Sequence, residues 1–168
     1  LSAPAQTWTT ATPMPTARNA PASGVVDGRL HVVGGGDNFG LLNTLVVYDF
    51  ATNTWVTKAA MPTARSGLAA GVIDGKLYVV GGWNSSSFMN RLEVYDPATN
   101  TWETRVYMPT PRSGLAAGVI DGKLYVVGGG TGSSTLNTLE VYDPATNTWE
   151  TKSHMPTARS RSLSASSR

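Results

Sequence analysis

At 168 residues and a formal charge of +2, the chain can bury one sizeable core, but its basic residues are spread along its length and form no clustered face for nucleic acid. It has no cysteine, which excludes disulfides, thiolate metal sites and a cysteine nucleophile, and leaves the redox compartment unread. No apolar run approaches the roughly 20 residues that a membrane-spanning helix needs.

Residues 1–13 begin "LSAPAQ", which suits the region after a signal-peptide cleavage site, and carry Trp8 in a segment read as a strand. From Met14 the sequence becomes periodic. Met14, Met61, Met108 and Met155 stand 47 residues apart, as do Trp8, Trp55, Trp102 and Trp149. The period divides the chain into repeats at 14–60, 61–107 and 108–154, followed by a partial repeat and Ser/Arg-rich tail at 155–168. Repeats two and three share 37 of 47 positions, which points to recent duplication or to engineering.

Each repeat reads as four short strands, A to D. In repeat two, "GLAAGVI" is strand A, small at its start and bulky at its end. Asp74-Gly75 follows, a pair suited to a two-residue hairpin turn with positive φ. "KLYVVGG" is strand B, rich in β-branched and aromatic residues, and its double glycine lets neighbours approach closely. A variable loop leads to strand C, "RLEVYD". "PATNT" turns the chain, with Asn100 in the left-handed region, into strand D, "TWETRV". No segment sustains a 3.6-residue period. The chain is therefore expected to be all-β, a radial array of four-stranded antiparallel sheets with strand A nearest the axis. The recurring tryptophan of strand D is expected to plug the core.

These repeats resemble the kelch family. The resemblance rests on Gly81-Gly82, Tyr95 thirteen residues after the second glycine, and Trp102 seven further on. The set recurs in phase at Gly34-Gly35, Tyr48 and Trp55, and at Gly128-Gly129, Tyr142 and Trp149. It implies a β-propeller, typically six-bladed. Three blades make half such a ring, so the expected assembly is a homodimer that closes six blades. The Trp8 and Trp149 segments then compete for one strand position. The Trp149 segment is favoured, because a short turn joins it to strand C.

Differences between the repeats gather in the loop between strands B and C. The resemblance implies that this loop and the D–A loop share one face, often the binding face. Phe39, Trp83 and Phe88 lie in the B–C loops, outside the repeating core positions, and could stack on a ligand or cover a neighbouring blade. The D–A loops place Arg18, Arg65 and Arg112 at equivalent positions, followed by Asn19, Ser66 and Ser113. Such a ring of guanidinium groups suits an anionic small molecule or an acidic peptide, as in kelch adaptors. The competing expectation is that the arginines pair with Glu93 and Glu140 of strand C, which leaves Arg18 freest because repeat one has Val46 there.

Enzyme readings have less to stand on. Galactose-oxidase-like relatives need a Tyr–Cys cross-link and a copper site, and this chain lacks cysteine. His31 and His154 each replace a tyrosine of repeat two and belong to different strands, so no metal site or other cofactor is expected. Asn84-Ser85-Ser86 is a formal glycosylation sequon in a loop. The favoured function is a non-catalytic scaffold that self-assembles and binds through loops on one face. The alternative is a secreted bacterial carbohydrate-related protein that binds or isomerises an acidic sugar.

Overall fold

In the computed structural model, residues 9–161 are described. The Trp8 position and the tail beyond residue 161 lie outside them. Among the described residues, twelve five-residue strands form three four-stranded antiparallel sheets. The first holds β1 (Ala22–Val26), β2 (Arg29–Val33), β3 (Leu45–Asp49) and β4 (Thr54–Lys58). The second holds β5 (Ala69–Ile73), β6 (Lys76–Val80), β7 (Leu92–Asp96) and β8 (Thr101–Arg105). The third holds β9 (Ala116–Ile120), β10 (Lys123–Val127), β11 (Leu139–Asp143) and β12 (Thr148–Lys152). Each sheet is a plain meander in chain order, as expected of propeller blades. The strand carrying Trp149, β12, completes the third blade beside β11.

The turns obey local chemistry. Asp74 and Gly75 take φ of 49° and 72°, the paired left-handed values that a tight hairpin requires. Asn100 sits at φ 55°, and its side-chain oxygen accepts from the Tyr95 hydroxyl at 2.8 Å, so the turn is tied to its own strand. The double glycine marks a close approach. Gly82 donates its N–H to the Arg112 carbonyl at 2.9 Å, and a Cβ there would stand 2.8 Å from the Ser66 carbonyl.

Two cores lie between neighbouring sheets. Between blades one and two, Val26, Leu45 and Val47 meet Met61, Leu68, Leu77 and Tyr95. Between blades two and three, Ile73, Val80 and Leu92 meet Met108, Leu115, Leu124 and Tyr142. The strand-D tryptophans meet the expectation of a core plug in part: Trp102 and Trp149 pack against the two cores as partly buried residues. Each is half-buried and stacks on the tyrosine of its own blade, with ring centres 5.0–5.2 Å apart. Each also donates its indole N–H to the segment that leads into its own blade. Trp102 bonds the Ala59 carbonyl at 2.8 Å, Trp149 that of Val106 at 2.9 Å, and Trp55 that of Thr12 at 2.9 Å. Ala59 returns its own N–H to Asn100 at 3.0 Å, so one residue of each linker grips the next blade twice.

His31 is an aromatic substitute, as its position suggests. It is buried in β2 and packs on Tyr95 of the second blade at 6.0 Å, as Tyr78 packs on Tyr142 at 6.1 Å. Burial pulls its pKa below the usual 6.5, against a weaker opposing contact with the Arg29 carbonyl. The unfolded chain therefore binds more protons, and the stability His31 provides is full above pH ~6.5 and lost as pH falls toward the lowered folded value. His31→Tyr, the residue of the other repeats, is expected to flatten the decline in melting temperature between about pH 7 and pH 5. Equal decline in both proteins would contradict this assignment.

Candidate functional site

The D–A and B–C loops share one rim of the blades, through a small backbone pairing repeated three times. Ser66 pairs with Trp83, and Trp83 with Phe88; Asn19, Gly36 and Leu41 repeat the arrangement, as do Ser113, Gly130 and Thr135. The B–C loop tips are held by side-chain caps. Asp37 accepts from the N–H groups of Phe39 and Gly40 at 2.8 and 3.0 Å. Asn84 accepts from those of Ser86 and Ser87 at 3.2 and 2.9 Å, so the sequon asparagine is engaged in its own turn.

The aromatic residues of this rim divide. Phe39 is 98% exposed at the tip of the first loop, and Trp83 is exposed at 37%. Phe88 instead lies over the next blade, its ring so close to Gly132 that a Cβ there would stand 2.9 Å away. Phe88 therefore covers a neighbouring blade.

The arginines require a correction. Arg65 and Arg112 do not line an open face: both side chains are fully buried between blades. Arg65 donates to the carbonyls of Gly81 at 2.8 Å, Arg91 at 3.1 Å and Val79 at 3.2 Å, and to the Glu93 carboxylate at 3.0 Å. The fork thus gathers carbonyls at and just inside the end of the ladder between strands B and C, and that of Arg91 also accepts from the Gly81 N–H at 3.1 Å. Burial pulls the Arg65 pKa down to about 10, against the raising effect of Glu93, and the side chain stays charged at neutral pH. Arg112 stands 3.1 Å from Glu140 and donates to the Val126 carbonyl at 3.1 Å. Ser66 and Ser113 are buried too. They pair through their backbones and offer no surface donors.

Arg18 is half-buried and donates to the carbonyls of Gly34 at 3.0 Å and Thr44 at 3.1 Å. With Val46 in place of a carboxylate, the Thr44 hydroxyl accepts from the other arm at 3.1 Å. Of the residues expected to bind, Asn19, Phe39 and Trp83 remain exposed on the loop rim.

The sequence reading missed Thr63 and Thr110, whose hydroxyls donate to Glu93 and Glu140 at 2.8 and 2.6 Å. Their recurrence in "MPT" was the available signal. At Ala59 and Val106 the linker side of the clasp left no signal, since those residues contribute backbone groups alone.

The axis carries a cavity of 370 Å³ lined by Ala20, Pro21, Gly67, Leu68, Gly114 and Arg161. It lies where the linkers meet: Gly67 donates to the Ala20 carbonyl at 3.0 Å, Gly114 to that of Gly67 at 2.8 Å and Arg161 to that of Gly114 at 2.8 Å.

Comparison with known proteins agrees with this architecture. The solved structure of YjhT superposes with a TM-score of 0.81 over 92% of the chain at 22% identity, which is a likeness of fold. The chain spans 57% of the length of that structure. No curated protein matches significantly. A family model for the KLHDC2/KLHL20/DRC7 kelch-repeats domain matches residues 2–167. With three in-phase blades beneath a match of that extent, the chain belongs to the kelch-repeat family, whose domains generally serve as non-catalytic binding modules.

Proposed function

We propose that the chain is a non-catalytic binding scaffold that pairs with a second copy to close a six-bladed ring. The variable loop rim, with Phe39, Trp83 and Asn19, is its recognition face. One observation carries the reading. The sequence Ala-Ala-Gly-Val-Ile occurs in both β5 and β9. In β5 it is covered by the third blade, and Ile73 is 3% exposed; in β9 the equivalent Ile120 is 56% exposed. The glycine reports the same contrast. A Cβ on Gly71 would stand 2.6 Å from Leu124 and 2.8 Å from Val119, whereas nothing lies within 4 Å of Gly118. Leu30 and Val25 are the first-blade equivalents of Leu124 and Val119, and Val25 is 57% exposed. The two open faces of the half-ring thus carry the residues that pack together inside it. Uncovered, they leave apolar surface and a blade face in water.

Light scattering over a dilution series tests the proposal. A mass of about 35 kDa, twice the 17.7 kDa of the chain, is expected at micromolar concentration. A monomer throughout would refute ring closure. The acidic-sugar alternative loses much of its support, because two of its three arginines are buried on carboxylates.

A further inference from the structure

The following rests on the ring-closing reading. Each internal linker works in two directions. Arg65 is pinned backward by its backbone: its N–H donates to the Leu42 carbonyl at 3.2 Å, and its carbonyl accepts from Gly35 at 2.9 Å. Its guanidinium reaches forward onto the acceptors of the second blade. Arg112 repeats the backbone pins on Met89 and Gly82, at 3.0 and 2.9 Å.

The two end linkers divide these functions. Arg159 has the backward half, donating to the Leu136 carbonyl at 3.0 Å and accepting from Gly129 at 2.8 Å. Its side chain is exposed and has no hydrogen-bond partner among the described residues. Arg18 has the forward half, seated on the first blade, and among the described residues no preceding blade pins its backbone or covers its side chain. Residues 155–160 read "MPTARS", identical to 61–66, while 14–19 read "MPTARN". Arg18 and Arg159 stand three repeat periods apart, so ring closure brings both to one position.

We propose that Arg159 is the ring-closing residue. Its guanidinium enters the first blade of the second copy, donates to the carbonyls of Gly34 and Thr44 and to the Thr44 hydroxyl, which replaces the carboxylate of the internal seams, and displaces that copy's Arg18. The reason is that one residue then makes both halves of the seam. An Arg18 backbone in the same place would find Leu136 and Gly129 already engaged. The N-terminal linker is also the more strained occupant. Ala20 holds φ 45°, where Gly67 and Gly114 hold 64° and 63° in the internal linkers.

The test is a dilution series by light scattering on the full chain, as wild type, Arg159→Ala and Arg18→Ala, with a thermal melt of each to establish folding. Arg159→Ala is expected to raise the dimer Kd about 100-fold, roughly tenfold at each of two junctions. Arg18→Ala should stay within about threefold of wild type or bind more tightly. A dimer weakened by Arg18→Ala and untouched by Arg159→Ala overturns the assignment while the ring survives. A monomeric wild type overturns the ring itself.

Discussion

Glu93→Val is expected to lower the unfolding free energy by about 3–5 kcal/mol, the cost of breaking a buried ion pair from one side. Glu93 is fully buried and accepts from Arg65 at 3.0 Å and Thr63 at 2.8 Å. Without it, Arg65 keeps its charge in a dry seam, with like-charged Arg91 nearby. Valine is the informative choice, because it is the residue of the first repeat. There Arg18 is half-buried, and the Thr44 hydroxyl serves one arm. The cost therefore measures the burial of the guanidinium and not the foreignness of valine. A second substitution, Arg65→Met, should recover only part of the loss, because the carbonyls of Gly81, Arg91 and Val79 would lose the bonds from the guanidinium. A domain of this size commonly has about 5–15 kcal/mol in total, so the midpoint of urea unfolding should move clearly. A loss below about 1 kcal/mol would mean that the pair is no more than a surface-like contact.

Gly71→Val is the second large expected effect. A Cβ there would meet Leu124 and Val119 at 2.6 and 2.8 Å, so those side chains, or the blade that carries them, must shift to admit it. Overpacking of this kind costs about 1–3 kcal/mol. Leu124 is fully buried, with no free volume to retreat into. Gly118→Val, in the same five-residue sequence, should change monomer stability by no more than about 0.5 kcal/mol, because nothing lies within 4 Å. Equal destabilisation by the two substitutions would show that the glycine is needed for the backbone of the strand and not for the packing of blades.

Much of the fold is legible in the sequence because its signals are local. Asp-Gly at 74–75 and Asn100 dictate their own turns, and the 47-residue step places strands that propensity alone would leave ambiguous. The fate of the arginines is not local. The seat of Arg65 is built mainly from backbone carbonyls, which have no sequence signature, with a carboxylate 28 residues away. Pairing with Glu93 and Glu140 was one of two open expectations, and burial between blades decides for it. The tryptophans were legible only in part, for a related reason. Their spacing marks a structural residue, but a core plug and an inter-blade clasp share that spacing, and the clasp depends on the carbonyl of a residue whose side chain varies freely. Phe88 and Phe39 show the limit at the rim. Both are loop aromatics, and only the position of Gly132 beside one of them separates a blade cover from an exposed contact.

The central claim is that the open face of the third blade is a seat for the first blade of a second copy. Sedimentation equilibrium of the wild type beside Gly118→Val tests it most directly. A valine at Gly118 would occupy the space that Leu30 and Val25 of the second copy must fill, and leave the rest of the chain alone. The account predicts about 35 kDa for the wild type and 17.7 kDa for a folded Gly118→Val. A wild type that sediments as a monomer, or a variant that remains a dimer, would contradict it.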